Sequence, residues 1–247
     1  MTVSVPLVLL FTDFGSDGPY TGQMEAAVLA ESFQSRVVNL ISDAPCGDFR
    51  RSAYLLAALT NGLPSGCVVA AVVDPGVGGQ RDPLIVEADG RTFIGPDNGL
   101  LSRVVAQAGD VQVARIDWRP ERLSSSFHGR DLFAPVAGIL SRGQGVDRSP
   151  LHKGSIEGAD WPAEISEVVY VDHFGNAMTG MSAASADSTR VLLVDDHPLA
   201  YAETFSAVPK GQSFWYANSC GLVEVAVNQG RAADVLGLEV GHPVAWA

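Results

Sequence analysis

Apolar runs and helical patterns alternate through the first 140 residues, and this alternation constrains the fold more than any other feature of the sequence. Runs typical of buried strands lie near residues 5–11, 36–41 and 67–73. Patterns typical of helices lie near residues 20–33, 48–61 and 131–142. Strands that alternate with helices predict a mainly parallel sheet with helices on both faces, because a parallel connection needs a crossover.

The pattern changes between Arg142 and Pro162, where the sequence becomes polar, contains Gly and Pro, and loses helical periodicity. Beyond this segment, short β-rich runs are separated by turns, at residues 168–171, 191–194, 213–216 and 222–227. We therefore predict an α/β N-terminal domain over residues 1–145, a linker over 146–164 and a smaller all-β C-terminal domain over 165–247.

Charge and cysteine content argue against several classes of function. The formal net charge is −12 and Lys and Arg form no cluster, which disfavours nucleic acid and anionic membranes as partners. An acidic field favours the approach of a cation instead. Cys46, Cys67 and Cys220 are odd in number and far apart, so neither a disulfide framework nor a zinc site is indicated. We expect a cytoplasmic protein.

The sequence contains no signal for a membrane. The apolar run Val5–Phe11 has no basic region before it and no small-residue cleavage site after it, so it predicts a first strand rather than a signal peptide. No apolar stretch approaches the roughly 18 to 20 residues that a bilayer-spanning helix needs.

Two polar segments could supply a hydrolytic centre. Asp74 and Arg81 flank a Gly-rich turn after the third apolar run, and a carboxylate next to a guanidinium stays ionised and can orient or deprotonate water. His128, in Phe127–Asp131, can add an imidazole. The alternatives are a β-turn with a surface ion pair for Asp74 and Arg81, and a structural histidine for His128.

Other residues suit a nucleoside. Asp13 follows the first apolar run, so Asp13 and Asp74 are expected at one crevice beyond the carboxyl ends of the strands. A carboxylate there can accept hydrogen bonds from both hydroxyls of a ribose, or it can cap the following loop. Phe174 and Asn176 suit stacking on an adenine and bonding to its edge, although Gly-Asn is also a common turn pair.

A metal site is the competing explanation for carboxylates and histidines in one chain. Asp172, His173, His128 and Asp131 can be imagined as ligands, yet they lack any of the usual ligand spacings. We predict no metal.

Taken together, these segments resemble the S-adenosylmethionine (SAM) hydroxide adenosyltransferases, also called SAM hydrolases, which share their fold with the fluorinase and chlorinase. The resemblance covers nearly the whole chain and rests on Leu10–Gly15, Asp74–Arg81, Gly95–Leu100, Phe127–Asp131, Phe174–Asn176, Asn218–Gly221 and Asn228–Ala233.

The resemblance implies roles for individual residues. Asp74, Arg81 and His128 match the residues placed around the attacking water. The resemblance assigns substrate binding to Asp13 at the ribose, Asn176 and nearby Phe174 at the adenine, Asp172 and Ser219 at the ends of the methionine moiety, and Ala232. It also implies a homotrimer with sites between subunits and SAM as substrate rather than cofactor.

Several departures from the halogenase branch favour water over halide. That branch has a Tyr at the position of Asp74, a Thr at that of Val77 and a Ser at that of Gly129, and it carries an extra loop that this chain lacks room for. Cys220 stands where the halogenases have an Arg, so contacts to the methionine carboxylate are not carried over there.

The expected reaction is in-line attack of water or hydroxide on the ribose 5′ carbon, which releases adenosine and L-methionine. The leaving group is a neutral thioether and needs no acid catalyst, so the chemical demand falls on the nucleophile. A SAM-dependent halogenase and a non-catalytic adenosine- or SAM-binding module remain as alternatives.

Overall fold

The computed structural model of the chain describes residues 5–247. These residues divide into two units, which meet in the sequence between Trp161 and Pro162. No helix within the described part of the chain is long and apolar enough to cross a bilayer.

The N-terminal unit has seven strands, four helices and two short helical turns. The strands are β1 (Leu7–Thr12), β2 (Arg36–Ile41), β3 (Val68–Val72), β4 (Pro83–Ala88), β5 (Arg91–Pro96), β6 (Val111–Ile116) and β7 (Arg148–Leu151). The helices are α1 (Tyr20–Glu31), α2 (Phe49–Thr60), α3 (Ser102–Gln107) and α4 (Ala134–Ser141). A π-helical turn, Gly129–Phe133, leads into α4, and a 3₁₀ turn covers Lys153–Ser155.

The seven strands form one sheet in the order β2-β1-β3-β5-β4-β6-β7. The pairs β1 with β2, β1 with β3, and β3 with β5 are parallel, whereas β4 is antiparallel to both β5 and β6, and β7 is antiparallel to β6. Strands β1, β2, β3, β5 and β6 therefore run in one direction, and β4 and β7 run in the other. The predicted mainly parallel sheet is confirmed.

Burial explains why the central strands were predictable. All five residues of β3 are buried, as expected for a strand covered on both faces. Helices α1 and α4 pack against each other, and so do α2 and α3. Right-handed crossovers place α1 and α2 on opposite faces, because β2 lies on one side of β1 and β3 lies on the other.

The parallel register brings the first two candidate site residues to one edge of the sheet. Thr12, the last residue of β1, is paired with Val72, the last residue of β3. Asp13 directly follows Thr12, and Asp74 comes two residues after Val72. Both carboxylates therefore leave the sheet at the same carboxyl edge.

The segment 146–164, expected to be a linker, contains a strand. Residues Arg148–Leu151 form β7 and pair antiparallel with β6 at the edge of the N-terminal sheet. The strand is only four residues long and includes Pro150, which an edge strand tolerates because one side needs no ladder hydrogen bonds. So short a polar strand has no periodicity that sequence alone can reveal.

The C-terminal unit consists of two antiparallel sheets and one short helix. Strands β8 (Ile165–Val171), β9 (Ala177–Ser182), β12 (Ser213–Ala217) and β13 (Leu222–Val227) form a sheet in the order β12-β13-β9-β8. Strands β10 (Leu192–Val194), β11 (His197–Leu199) and β14 (Val244–Trp246) form a second sheet in the order β11-β10-β14. Helix α5 covers Ala232–Leu236, and 3₁₀ turns cover Ala183–Ser185 and Phe205–Ala207.

Both sheets contribute to one core. Val223 and Val225 of β13 belong to the same buried cluster as Leu192 and Val194 of β10 and Val244 of β14. The prediction of a β-rich C-terminal domain, which relied on short β-rich runs separated by turns, is confirmed.

Candidate active site

The N-terminal unit has a cavity of about 230 Å³, here called the N-terminal cavity. It lies where the loops after β1, β2 and β3 approach the turn that leads into α4. Its wall includes Asp13, Phe14, Cys46, Asp74, Val77, Phe127, His128 and Gly129. Asp13, Asp74 and His128, which the sequence predicted as site residues, thus share one cavity.

Asp74 and Arg81 form a buried, bidentate ion pair. The Arg81 Nε donates to both carboxylate oxygens of Asp74, at 3.0 and 2.9 Å, and Nη2 donates to Oδ2. The Asp74 side chain is 3% exposed and that of Arg81 is 11% exposed. The pair is therefore not the surface ion pair of the alternative interpretation.

The same guanidinium holds His128. Arg81 Nη2 lies 3.0 Å from His128 Nδ1. Because a guanidinium can only donate, Nδ1 must be the acceptor, so the ring proton is on Nε2 and the imidazole is neutral. Burial and, second, the charge of Arg81 lower the pKa of His128, which favours the same neutral state.

Asp13 is anchored to the loop after β2. Its Oδ2 accepts a hydrogen bond from the Gly47 backbone N–H at 2.8 Å. The N-cap position of α1, Pro19, has no side-chain cap, so Asp13 does not cap that helix. Burial raises the pKa of Asp13, and the charge of Asp74 adds to the effect. The charge of Asp74 therefore acts on Asp13, which lies in the wall of the same cavity.

The loop that follows Asp74 lies close to the segment that precedes His128, and a close backbone contact joins Gly78 and Ser125. Gly78 has φ +80°, and a Cβ placed there would lie 2.3 Å from the carbonyl oxygen of Ser125. Only glycine permits both this conformation and this approach. Asn98 holds the start of the same loop, because its Nδ2 donates to the Val73 carbonyl at 2.9 Å.

The C-terminal unit has its own cavity of about 680 Å³, here called the C-terminal cavity. Its wall consists of Asp172, Phe174, Asn176, Phe205, Tyr216, Val227, Gln229, Gly230 and Arg231. Asp172 accepts hydrogen bonds from the backbone N–H of Asn176 at 2.8 Å and from its Nδ2 at 3.1 Å. The Phe174 side chain is 70% exposed. Three predicted substrate-binding residues thus share this cavity.

Two other predicted residues are placed differently. Ser219 is exposed in the turn between β12 and β13, and it is not part of the cavity wall. Ala232 is fully buried as the first residue of α5, directly after the wall residue Arg231. Asp131, imagined as a metal ligand, instead accepts a hydrogen bond from Arg130 Nε at 2.6 Å.

Sequence reasoning missed Phe205, Tyr216 and Gln229 in the cavity wall and Glu224 behind it. Phe205 lies in a turn without a distinctive pattern, whereas Gln229 belongs to Asn228–Ala233, a segment that carries the resemblance but in which only Ala232 was given a role. Glu224 had a signal, because it is the one charged residue in the otherwise apolar run Leu222–Val227. Within residues 5–247, no cluster of three or more His, Cys, Asp or Glu side chains is arranged to hold a metal.

The chain is similar to proteins of one family over nearly its full length. Residues 8–149 match the model described as the SAM hydroxide adenosyltransferase N-terminal domain, and residues 166–245 match that of the C-terminal domain. A protein named (R)-S-adenosyl-L-methionine hydrolase from Salinispora arenicola is 36% identical over 252 residues, which cover 96% of each chain. A protein of the same name from Thermus thermophilus is 36% identical over 262 residues, covering 96% of this chain and 98% of its own.

Two solved structures share the fold. An uncharacterized conserved protein from Thermotoga maritima superposes with a TM-score of 0.87 at 27% identity, covering 98% of this chain and 99% of its own. A conserved hypothetical protein from Thermus thermophilus gives a TM-score of 0.78 at 33% identity, covering 97% of this chain and 99% of its own.

Proposed function

This chain belongs to the SAM hydroxide adenosyltransferase family, and we propose that it hydrolyses S-adenosyl-L-methionine to adenosine and L-methionine. The relatives named (R)-S-adenosyl-L-methionine hydrolase, at 36% identity over most of the chain, support this reaction. The observation that carries the proposal is the buried group of Asp74, Arg81 and His128, in which Asp74 and His128 lie in the wall of the N-terminal cavity and Arg81 is bonded to both.

The bond changes define what the site has to do. The water oxygen forms a bond to the ribose 5′ carbon, the bond from that carbon to sulfur breaks, and its electron pair stays on sulfur. The sulfonium becomes a neutral thioether, so the only proton to be moved is that of the attacking water. The protein must hold the water in line and accept this proton.

Asp74 is proposed as the acceptor of that proton. The hydrogen bonds from Arg81 fix the plane of the carboxylate. Because a carboxylate has about four lone-pair directions, directions remain for a water after the Arg81 bonds are made. General-base assistance of this kind contributes roughly 10²- to 10⁴-fold to a rate.

Arg81 also sets the tautomer of His128. With Nδ1 occupied by the guanidinium, His128 has an N–H only at Nε2, and this donor is available to orient the water oxygen. Arg81 and His128 are therefore proposed to orient the nucleophile and Asp74 to activate it.

The substrate-binding residues are proposed in two groups. Asp13 is proposed to bind the ribose, supported by its place in the cavity wall beside Asp74. Asn176 and Phe174 are proposed at the adenine, and Asp172 at the methionine amino group, supported by their shared cavity. Ser219 and Ala232 are proposed on the family resemblance, since the C-terminal cavity wall does not include them.

Halide is not expected to replace water. Val77 and Gly129 line the N-terminal cavity, and neither has a hydroxyl group to hold an anion. A Cβ at Gly129 would lie 3.2–3.3 Å from Phe127, Met24 and Phe14, so a larger residue has little room there. Neither a cofactor nor a metal is proposed, since a neutral leaving group needs no Lewis acid. Activity is expected to persist in EDTA, and loss with recovery on adding a divalent ion would contradict this.

The site is proposed to be shared between subunits of a homotrimer. The support is the family resemblance, together with the division of the proposed residues between two units of the chain. Mixing the inactive variants Asp74→Asn and Asn176→Ala through dissociation and reassembly should restore some activity. Some interfaces would then combine Asp74 from one variant with Asn176 from the other and so form a complete site. An active monomer by light scattering would contradict the shared site. A cytoplasmic location is proposed on the cysteine pattern alone.

Product analysis tests the reaction. Purified protein is incubated with SAM, with and without chloride or fluoride, and the nucleoside is identified by mass. We expect adenosine under all conditions and a kcat about 10²- to 10⁴-fold lower for Asp74→Asn. Asp117→Asn is a matched control, because Asp117 also pairs with an arginine but at the surface, and it should keep wild-type activity. A 5′-halo-nucleoside, or tight SAM binding without turnover, would contradict hydrolysis.

A further inference from the structure

Glu224 is a buried carboxylate in the middle of β13. The residue is 2% exposed, and its neighbours Val223 and Val225 belong to the core. A buried carboxylate is costly unless it is hydrogen-bonded. Both oxygens are: Oε1 accepts from the Tyr216 hydroxyl at 2.5 Å, and Oε2 accepts from Asn218 Nδ2 at 2.7 Å. Both donors are neutral.

Tyr216 connects this carboxylate to the C-terminal cavity. It is the cross-strand partner of Glu224, and its side chain forms part of the cavity wall. Burial, with the hydrogen bond to Glu224 second, raises the pKa of Tyr216, so the hydroxyl remains a donor. Burial also raises the pKa of Glu224, and the charge of Asp172, in the cavity wall, adds to the raised pKa of both Glu224 and Tyr216. Both Glu224 and Asp172 therefore act electrostatically on Tyr216 in the cavity wall.

Asn218 connects the carboxylate to the turn between β12 and β13, residues 218–221. The Oδ1 of Asn218 accepts hydrogen bonds from the backbone N–H of Cys220 at 3.0 Å and of Leu222 at 2.9 Å. Because a carboxylate can only accept, Glu224 requires the Nδ2 side of the amide and so directs Oδ1 toward the turn. The geometry of the turn, which bears the exposed Ser219, depends on this orientation.

We propose that Glu224 is a positioning residue for the methionine half of SAM, acting through Tyr216 in the cavity wall and Asn218 in the 218–221 turn. The inference rests on the proposed function, in which Asp172 and Ser219 meet the ends of the methionine moiety.

Glu224→Gln tests this role with little change in size. The amide oxygen can accept from only one of the two donors. If it accepts from Tyr216, the amide NH₂ faces the NH₂ of Asn218, and if the amide is flipped, the Tyr216 hydroxyl has to change from donor to acceptor, so one of the two connections changes in either case. We expect KM and Kd for SAM to rise about 10- to 100-fold while kcat changes less than about threefold. Affinity for adenosine, which lacks the methionine half, should stay within about twofold of wild type by calorimetry.

Thr179→Val is the matched control for a loss of binding caused only by lower stability of the same sheet. Thr179 is fully buried on β9 and donates to the Val223 carbonyl at 2.7 Å, but it does not bond to Glu224, Tyr216 or Asn218. It should leave the ratio of SAM affinity to adenosine affinity at the wild-type value. Should Glu224→Gln fail to fold, Tyr216→Phe removes one donor to the carboxylate and should give the same SAM-selective loss in smaller degree.

Three results would overturn the role of Glu224. They are an equal loss of SAM and adenosine affinity in Glu224→Gln, a SAM-selective loss in Thr179→Val, and wild-type SAM affinity in Tyr216→Phe. A wild-type protein that binds SAM without forming adenosine would refute the proposed function separately, because the binding comparison requires no turnover.

Discussion

Replacing Arg81 by Met tests whether the Asp74–Arg81 pair is a buried interaction on which the N-terminal cavity depends. The substitution keeps an unbranched side chain but removes the Nε and Nη2 donors to Asp74 and the Nη2 donor to His128. The Asp74 carboxylate, 3% exposed, would lose its only ion-pair partner among the described residues.

The expected magnitude follows from that burial. Removing one partner of a buried ion pair costs about 3–5 kcal/mol, because the remaining charge is uncompensated. For a chain of this size, about 2–4 °C of melting temperature corresponds to each kcal/mol, so the melting temperature should fall by roughly 6–20 °C. Asp74→Asn combined with Arg81→Met should cost less than the two single variants together, with a coupling of about 1–3 kcal/mol.

The assay is a double-mutant cycle in thermal and urea unfolding, with Arg115→Met as the control. Arg115 pairs with Asp117 at 2.9 Å at the surface of the same unit, and an exposed pair contributes about 0–1 kcal/mol. If Arg81→Met costs no more than Arg115→Met and the cycle is additive within about 0.5 kcal/mol, the pair is not the buried interaction described here.

Three further predictions concern binding, pH and packing. Asp13→Ala should weaken adenosine binding by about 2–5 kcal/mol in calorimetry, because two hydroxyls lose a charged acceptor; unchanged affinity would limit Asp13 to its bond with Gly47. The lowered pKa of His128 predicts that kcat/KM falls on the acid side with an apparent pKa below about 6.5, and that the limb is absent in His128→Gln. Because the pKa of His128 is lower in the folded than in the unfolded state, the unfolded state binds the proton at a higher pH. The contribution of His128 to the free energy of unfolding is therefore fully present above about pH 6.5 and is lost as the pH falls from there toward the folded pKa. Gly78→Ala should cost about 1–3 kcal/mol more in urea unfolding than Gly66→Ala, since both have positive φ but only Gly78 would place its Cβ against a backbone carbonyl; equal costs would refute that contact.

Elements with long buried runs were predicted almost to the residue. The strand expected near 67–73 is Val68–Val72, and the helix expected near 48–61 is Phe49–Thr60. Strands β4 and β5 were not assigned, although their connection, Asp89-Gly90, has positive φ at both residues and is a typical hairpin turn. A search for Asp-Gly between β-rich runs would have found this hairpin.

For the candidate site, the sequence predicted the position of some residues but not the contacts between loops. The shared edge of Asp13 and Asp74 follows from the parallel order of β1 and β3, which the sequence pattern predicted. The contact between Arg81 and His128, 47 positions apart, depends on how two loops pack, and no local pattern encodes it. Glu224 was visible as a charge in an apolar strand, but its partners depend on strand pairing and on the turn conformation.

The most direct measurement of the central claim is the fate of oxygen from solvent. The protein is incubated with SAM in ¹⁸O-water, and the nucleoside and amino-acid products are separated and weighed by mass spectrometry. Attack of water held by Asp74, Arg81 and His128 on the ribose 5′ carbon predicts adenosine with one ¹⁸O at the 5′ oxygen and unlabelled methionine. Labelled homoserine with 5′-methylthioadenosine, or labelled methanol with S-adenosylhomocysteine, would place the attack on another carbon of the sulfonium and contradict the account.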